Sequence, residues 1–310
     1  MNRMLNVSRY QPSEAAQWDQ FIRDSECSCL LFYRGYMDYH ADRFEDASLT
    51  ARLDGQLIGV MPASLSEDGV FSHGGLTFGG WQFGQGLSAE LRRQVHLASL
   101  DYYRQDSRKK LVIRALPGFF QPCLGAEEWW RVGMTAERAL TGAAVDLSVP
   151  EKLGVKRRPC AVKALNTHEF AATSVEEFWP LLEEVLRARH GAAPTHSLEE
   201  VQLLQERFPD QILTYKATQE HKILAGVVLF VSRDVAHVQY MATSLEGRAS
   251  HALDGLLVWL MRANVGRLRW LSMGTSNERD GRINQGLFDY KLSFGAMPFL
   301  HDIREYDLTV

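Results

Sequence analysis

The two halves of the chain predict the same order of secondary structure, and this repeat limits the fold more than any other feature of the sequence. The first half predicts a hairpin over 48–63, a strand over 70–73, a helix over 87–104 and a strand over 109–116. The second half predicts strands over 211–218, 222–232 and 235–243, a helix over 250–264 and a strand over 267–274. A repeat of about half the chain indicates two copies of one α/β unit, because solenoid repeats are only about 20 to 50 residues long.

The boundary between the two copies is predicted near Pro150, which gives domains 1–149 and 150–310. Residues 151–163 follow as a basic connector. Two helices are then expected before the second set of strands. The first begins after Ser174 and ends near Arg189, and the second is capped by Ser197 and ends near Arg207. A further helix is predicted over 281–294.

Composition and charge narrow the possible functions. The 45% hydrophobic and 23% charged residues are typical of a folded globular protein. The formal net charge of −4 gives no overall basic field, so DNA is not an expected partner. The longest apolar run, 223–231, contains a glycine and is less than half of the ~20 residues that cross a bilayer. The first ten residues lack the apolar stretch of a secretory signal. The sequence therefore predicts a cytoplasmic protein without a transmembrane segment.

Specific residue patterns in the second half resemble a known superfamily. These are the segments 189–199 (RHGAAPTHSLE), 239–243 (QYMAT), 274–278 (GTSNE) and 281–295 (GRINQGLFDYKLSFG). Together with the order of the elements, they resemble the GNAT acyltransferases, and in particular the Fem branch of peptidoglycan aminoacyltransferases. The resemblance spans nearly the whole chain. It implies an α/β (α+β) protein of two tandem GNAT-like domains, each with a mixed, mostly antiparallel sheet flanked by helices.

The resemblance also implies an activity, which is the transfer of an acyl or aminoacyl group to an amine with formation of an amide bond. No tightly bound cofactor is expected; the co-substrate is acyl-CoA or aminoacyl-tRNA, so tRNA is one possible partner. The acceptor is expected to be an amine of a cell-envelope precursor, an amino sugar or a related metabolite. Residues 245–250 (LEGRAS) depart from the Arg/Gln-x-x-Gly-x-Gly/Ala loop that binds CoA, which leaves both donors open. The alternative is a noncatalytic carbohydrate- or nucleotide-binding protein on a degenerate double GNAT fold.

Three residues are candidates for the chemistry. Lys291 matches the essential lysine of the Fem-like motif and suits an oxyanion or a phosphate; otherwise it is a helix lysine that faces water. Tyr290 shapes the same pocket or belongs to the core. Tyr240 either protonates a leaving group or is a half-buried strand tyrosine.

The candidate substrate-binding residues fall into four groups, and each has a structural alternative. Ser276, Asn277, Glu278 and Asn284 follow a strand, where they bind an anion or cap a helix and a turn. A glycine-rich loop over 72–80 suits a closely approaching ligand, and His73 is either an acceptor-binding or a structural histidine. Arg158 neutralises a phosphate or belongs to an exposed linker, and His196 orients substrate or is structural. No metal site is predicted. The remaining candidates, both in the glycine-rich loop, are Gly75 and Thr77.

Overall fold

The computed structural model describes residues 4–25, 27–67, 69–120 and 129–309. The chain forms two compact units, Met1–Leu140 with Leu300–Val310, and Thr141–Phe299. The sequence predicts a second domain over 150–310, whereas the second unit begins at Thr141 and ends at Phe299, since the last strand pairs in the first unit. No helix in the described ranges is both long and apolar enough to cross a membrane.

The helices and strands follow one another along the chain in the order β1 (Leu5–Arg9), α1 (Ala15–Asp24), α2 (Arg34–Met37), β2 (Leu49–Leu53), β3 (Gln56–Met61), β4 (Ser64–Ser66), β5 (Gly69–Phe71), β6 (Gln82–Phe83), α3 (Ala89–Gln105), β7 (Lys110–Arg114), β8 (Met134–Asp146), α4 (Arg157–Thr167), β9 (Glu169–Thr173), α5 (Val175–His190), α6 (Leu198–Arg207), β10 (Ile212–Gln219), β11 (Lys222–Ser232), β12 (Val235–Thr243), α7 (Leu245–Ala249), α8 (Ala252–Ala263), β13 (Trp270–Thr275), α9 (Gln285–Leu292) and β14 (Met297–Asp307).

The first unit contains the predicted hairpin. Strands β2 and β3 pair antiparallel, and the turn between them places Asp54 and Gly55 at φ of 50° and 83°. In sheet order β1, β2, β3 and β6 are neighbours, whereas β5 pairs parallel with β7 and β7 pairs antiparallel with β14. Helix α3 contributes Val95, Leu100 and Tyr103 to the buried core of this unit.

The second unit is built on one run of neighbouring strands in the order β8, β13, β12, β11, β10, β9. Strands β12 and β13 pair parallel, and the other neighbours pair antiparallel. Helix α8 packs Leu256, Leu257 and Leu260 into the core of this unit. The predicted mixed, mostly antiparallel sheet flanked by helices is therefore confirmed.

The prediction of a basic connector over 151–163 is wrong in its second part, because α4 begins at Arg157. Local sequence disfavours a helix there, since Pro159 and a run of like charges lie close together. Proline is nonetheless tolerated in the first turn, where its missing N–H has no helical acceptor. Ala161 and Ala164 are fully buried, and their burial holds α4 in the second unit.

Candidate active site

Lys291 lies in the last turn of α9, and its side chain is buried rather than turned to water. The residue is 2% exposed, and its Nζ donates hydrogen bonds to the backbone carbonyls of Gly274 (3.1 Å) and Thr275 (2.6 Å). Burial disfavours the charged ammonium and lowers the pKa of Lys291 from 10.5 to about 8. A lysine held in this way is a fixed hydrogen-bond donor that titrates close to neutral pH.

The two carbonyls that hold Lys291 lie where strands β12 and β13 stop pairing. Their parallel register runs only from Val235 with Trp270 to His237 with Ser272. Both strands continue beyond this point, β13 through Gly274 and Thr275 and β12 to Thr243. Backbone groups that leave a ladder need other partners. Two of the freed carbonyls of β13 therefore take the ammonium of Lys291 as their donor.

Tyr240 lies on β12 beyond the last residue paired with β13, and it forms a buried pair with His196. Its hydroxyl accepts a hydrogen bond from the backbone N–H of His196 (3.2 Å) and contacts Nδ1 of the same histidine. Trp179 packs edge-on against the Tyr240 ring. Burial raises the pKa of Tyr240 above its ordinary value. The hydroxyl therefore stays protonated at neutral pH and can donate a proton, with the imidazole as its neighbour.

Tyr290, the residue before the lysine, belongs to a buried charge network centred on Asp254. Its hydroxyl donates to Oδ1 of Asp254 (3.0 Å), while Oδ2 pairs with the Arg157 guanidinium and lies 3.1 Å from Nδ1 of His251. Burial, followed by the Asp254 charge, raises the pKa of Tyr290 well above its ordinary value. Tyr290 is therefore placed as a hydrogen-bond donor within the protein.

All four residues of this network line a cavity of about 480 Å³ in the second unit. Two of the residues around Tyr290, His251 and Asp254, are not among the site residues predicted from the sequence. One signal was available for Asp254, because it is a single acid within the apolar run of α8. The cavity is lined by Arg157, Val185, Leu186, Arg189, Met241, Ala242, Thr243, Gly247, Arg248, His251, Leu253, Asp254, Leu287 and Tyr290.

The loop between β13 and α9 uses most of its predicted anion-binding residues for its own structure. Asn277 accepts from the backbone N–H of Thr141 (2.7 Å) and donates to the carbonyl of Gly281 (2.7 Å). Asn284 caps α9 by accepting from the N–H of Leu287 (2.9 Å), and it donates to Glu278 (2.6 Å). These contacts support the capping alternative for three of the four residues.

Ser276 differs from its neighbours in this loop. It is 1% exposed, and within the described part of the chain its Oγ has no hydrogen-bond partner. It directly follows Thr275, whose carbonyl holds Lys291. A buried hydroxyl without a partner costs free energy, and this one lies next to the residues that hold the ammonium.

The remaining candidates in the second unit are Arg158 and His196. Arg158 is exposed on α4 and does not line the cavity. His196 is buried against Tyr240, so the structure brings these two predicted residues together.

The glycine-rich loop lies in the first unit and is closely packed. His73 is buried with φ of 75°, its ring stacks on His40 at 5.0 Å, and its Nδ1 accepts from the N–H of Gly75 (3.3 Å). Burial, followed by the neighbouring His40, lowers the pKa of His73 to about 3. A Cβ at Gly75 would lie 2.0 Å from Nε2 of His40, so this glycine serves close packing. Thr77 is half-buried in the same loop.

Comparison with known proteins gives similarity in structure only. No family model matches the sequence, and no curated protein matches it. Several solved structures align over nearly the whole chain. FemX aligns with a TM-score of 0.70 at 10% identity, over 98% of this chain and 98% of that chain. L-PGS from Bacillus licheniformis aligns with a TM-score of 0.62 at 12% identity, over 98% and 94%.

A tandem GNAT protein from the clavulanic acid biosynthesis pathway aligns with a TM-score of 0.50 at 11% identity, over 98% of this chain and 99% of that chain. At such identities the similarity concerns the fold. The chain therefore has a Fem-like tandem GNAT fold.

Proposed function

We propose that this protein is an N-acyltransferase that moves an acyl or aminoacyl group from an activated ester or thioester to an amine. The observation that supports it most is the buried ammonium of Lys291, held by two carbonyls where β12 and β13 separate. A preorganised donor in a site shielded from water is the group that acyl transfer needs, because negative charge develops on the carbonyl oxygen.

The proposed reaction is a direct transfer. The neutral amine attacks the carbonyl carbon, a C–N bond forms, and the carbonyl electron pair moves to the oxygen. The Lys291 ammonium donates a hydrogen bond to this oxyanion and stays protonated throughout. On collapse the electron pair of the oxyanion re-forms the carbonyl bond, and the C–O or C–S bond to the leaving group breaks. The proton that the nitrogen loses is passed on to the leaving atom. We assign to Tyr240 the role of passing a proton to the leaving atom, with His196 beside it.

The cavity supports an anionic donor. Arg189 and Arg248 line it together with aliphatic side chains, and phosphates are present in both acyl-CoA and tRNA. The resemblance to the Fem branch implies an aminoacyl donor, whereas the name of the tandem GNAT structure mentions acetyl-CoA, which suggests an acyl donor. We propose an amine of a cell-envelope precursor, an amino sugar or a related metabolite as the acceptor. Either donor belongs to the cytoplasm, which is where we expect the reaction.

The test is to offer the purified protein labelled acyl-CoA or charged tRNA with candidate amines and to measure the amide product. Wild-type protein is expected to deacylate one donor only when an amine is present. Lys291→Met should lose at least about 100-fold in turnover, the scale of losing one oxyanion donor. The control is Lys163→Met, which removes an exposed lysine of α4 and should keep full activity.

Two results would count against the proposal. Equal turnover in Lys291→Met would remove this lysine from the reaction. Saturable binding of a sugar or nucleotide, with no donor consumed by the wild type, would favour the noncatalytic alternative.

A further inference from the structure

We infer that Asp254, acting with Arg157, is a positioning residue that fixes α9 and thereby places the Lys291 ammonium at the carbonyls of Gly274 and Thr275. This inference rests on the proposed function for its activity measurement. Its structural part concerns where Lys291 is held and can be tested without any substrate.

Asp254 is a buried carboxylate whose two oxygens are shared among three elements. The residue lies on α8 and is 5% exposed. Oδ1 accepts from the hydroxyl of Tyr290 on α9, and Oδ2 pairs with Arg157 at the start of α4 and with Nδ1 of His251. A charge buried to this degree is tolerated only when paired and hydrogen-bonded. Tyr290 is therefore held in place, because moving it away would leave the buried Asp254 carboxylate without one of its hydrogen-bond donors.

Arg157 holds the same helix from a second side. Its Nε donates to Oγ of Ser293 at 2.9 Å, immediately after α9. Its guanidinium carbon lies 4.6 Å from the ring centre of Tyr290 and 4.9 Å from that of Phe294. The planar guanidinium thus pairs with Asp254, hydrogen-bonds Ser293 and stacks on two rings, a combination that the ammonium of a lysine cannot supply.

These contacts matter because α9 is too short to hold its own position. It has eight residues, and isolated helices shorter than ~12 residues are marginal in water. Tyr290 lies within α9, and Ser293 and Phe294 follow in the turn after it. Their spacings of three and four residues place them on the same side as Tyr290. Lys291 projects about a quarter of a turn away. Rotation or sliding of α9 on that face would move the ammonium off its two carbonyls.

Asp254 acts on Lys291 through the position of α9. The lowered pKa of Lys291 has burial as its cause. The Asp254 carboxylate pairs with the Arg157 guanidinium of α4. Its other hydrogen-bond partners are Tyr290 on α9 and His251 at the start of α8. Loss of Asp254 should therefore misplace Lys291.

The experiment compares Asp254→Ala, Asp254→Asn and Arg157→Lys with Leu204→Ala, a fully buried leucine of α6. Leu204→Ala is the control for loss of stability, checked by the unfolding midpoints. We expect kcat to fall about 100-fold in Asp254→Ala, the cost of a displacement of about 1 Å at a reacting group. Asp254→Asn keeps an acceptor for Tyr290, and Arg157→Lys keeps the charge, so both should fall about tenfold. Leu204→Ala should keep the wild-type kcat.

The second measurement needs no substrate. Acetylation of Lys291 by acetic anhydride, followed by peptide mass spectrometry, reports how often α9 opens. The rate should rise at least about tenfold in Asp254→Ala and stay close to wild type in Leu204→Ala. Unchanged acetylation in all three network variants would overturn the inference, and so would an equal rise in Leu204→Ala.

The two proposals fail in different ways. Wild-type protein without any transfer activity would contradict the proposed function and leave the acetylation result to decide the inference. Active wild-type protein with unchanged kcat in Asp254→Ala and Arg157→Lys would overturn the inference and leave the function standing. If Asp254→Ala does not fold, kcat and the acetylation rate are measured on Asp254→Asn and Arg157→Lys instead.

Discussion

The buried ammonium of Lys291 makes the stability of the protein depend on pH in a way that one substitution isolates. Burial lowers its pKa from 10.5 to about 8, and the unfolded chain keeps the ordinary value. Between these values the unfolded state holds a proton that the folded state has released. The free energy of unfolding therefore rises with pH across this window. Below about pH 8 both states are protonated, and the full cost of burying the charge is present.

The magnitude follows from the same values. A fall of about 2.5 in pKa, at 1.36 kcal/mol for each unit, corresponds to about 3 kcal/mol gained by the folded state as pH rises through the window. Lys291→Met keeps a long side chain and removes the titrating group. Between pH ~7 and ~10.5, the unfolding free energy of the wild type should rise by about 3 kcal/mol relative to that of this variant.

The assay is urea unfolding of both proteins over that pH range. Taking the difference cancels the titrating groups that the two proteins share. The loss of two hydrogen bonds in the variant adds a constant offset to this difference, so the change of the difference with pH reports Lys291 alone. Lys163→Met, which removes an exposed lysine, should show no such trend. A wild-type minus Lys291→Met difference that stays flat with pH would refute the argument that Lys291 is buried as a charge.

Two further substitutions test local packing. Tyr240→Phe leaves the buried N–H of His196 without its acceptor, so urea unfolding should show a loss of about 1–3 kcal/mol; unchanged stability would mean that the pair does not form. Gly247→Ala places a Cβ 2.2 Å from the carbonyl oxygen of Leu224, a backbone atom that cannot move aside alone, and should cost about 1–3 kcal/mol in the same assay. Its control is Gly286→Ala, where the new Cβ would lie 3.7 Å from the nearest atom. Helix propensity there favours alanine by less than about 1 kcal/mol. Equal losses of stability in the two variants would contradict the packing argument.

Local sequence rules predicted the elements that depend on local physics. Asp54-Gly55 turns the β2–β3 hairpin because both residues adopt positive φ. Ser197 and Glu200 form the capping box that begins α6, as the spacing of a hydroxyl and an acid predicts. Each of these features needs only residues close together in the chain, so the sequence carries the complete information for it.

The same rules were wrong about the beginning of α4. A proline and a cluster of basic residues favour a connector when only neighbours are considered. The helix forms because Ala161 and Ala164 are buried in the core of the second unit and Arg157 reaches Asp254, 97 positions along the chain. Tertiary burial here overrides local preference.

Some features of the candidate site could likewise be predicted from the sequence, and others depend on the tertiary structure. The motif around Lys291 and the helix that carries it were predictable from the sequence alone, as were Tyr240 and His196 as separate candidates. Only the tertiary structure decided that Lys291 is buried against Gly274 and Thr275, since a lysine on a short helix ordinarily faces water. It alone paired Tyr240 with His196, 44 residues away, and gathered Arg157, Tyr290 and His251 around Asp254. The physical reason is that burial and charge pairing depend on which distant segments pack together, whereas turns and caps depend on the residues beside them.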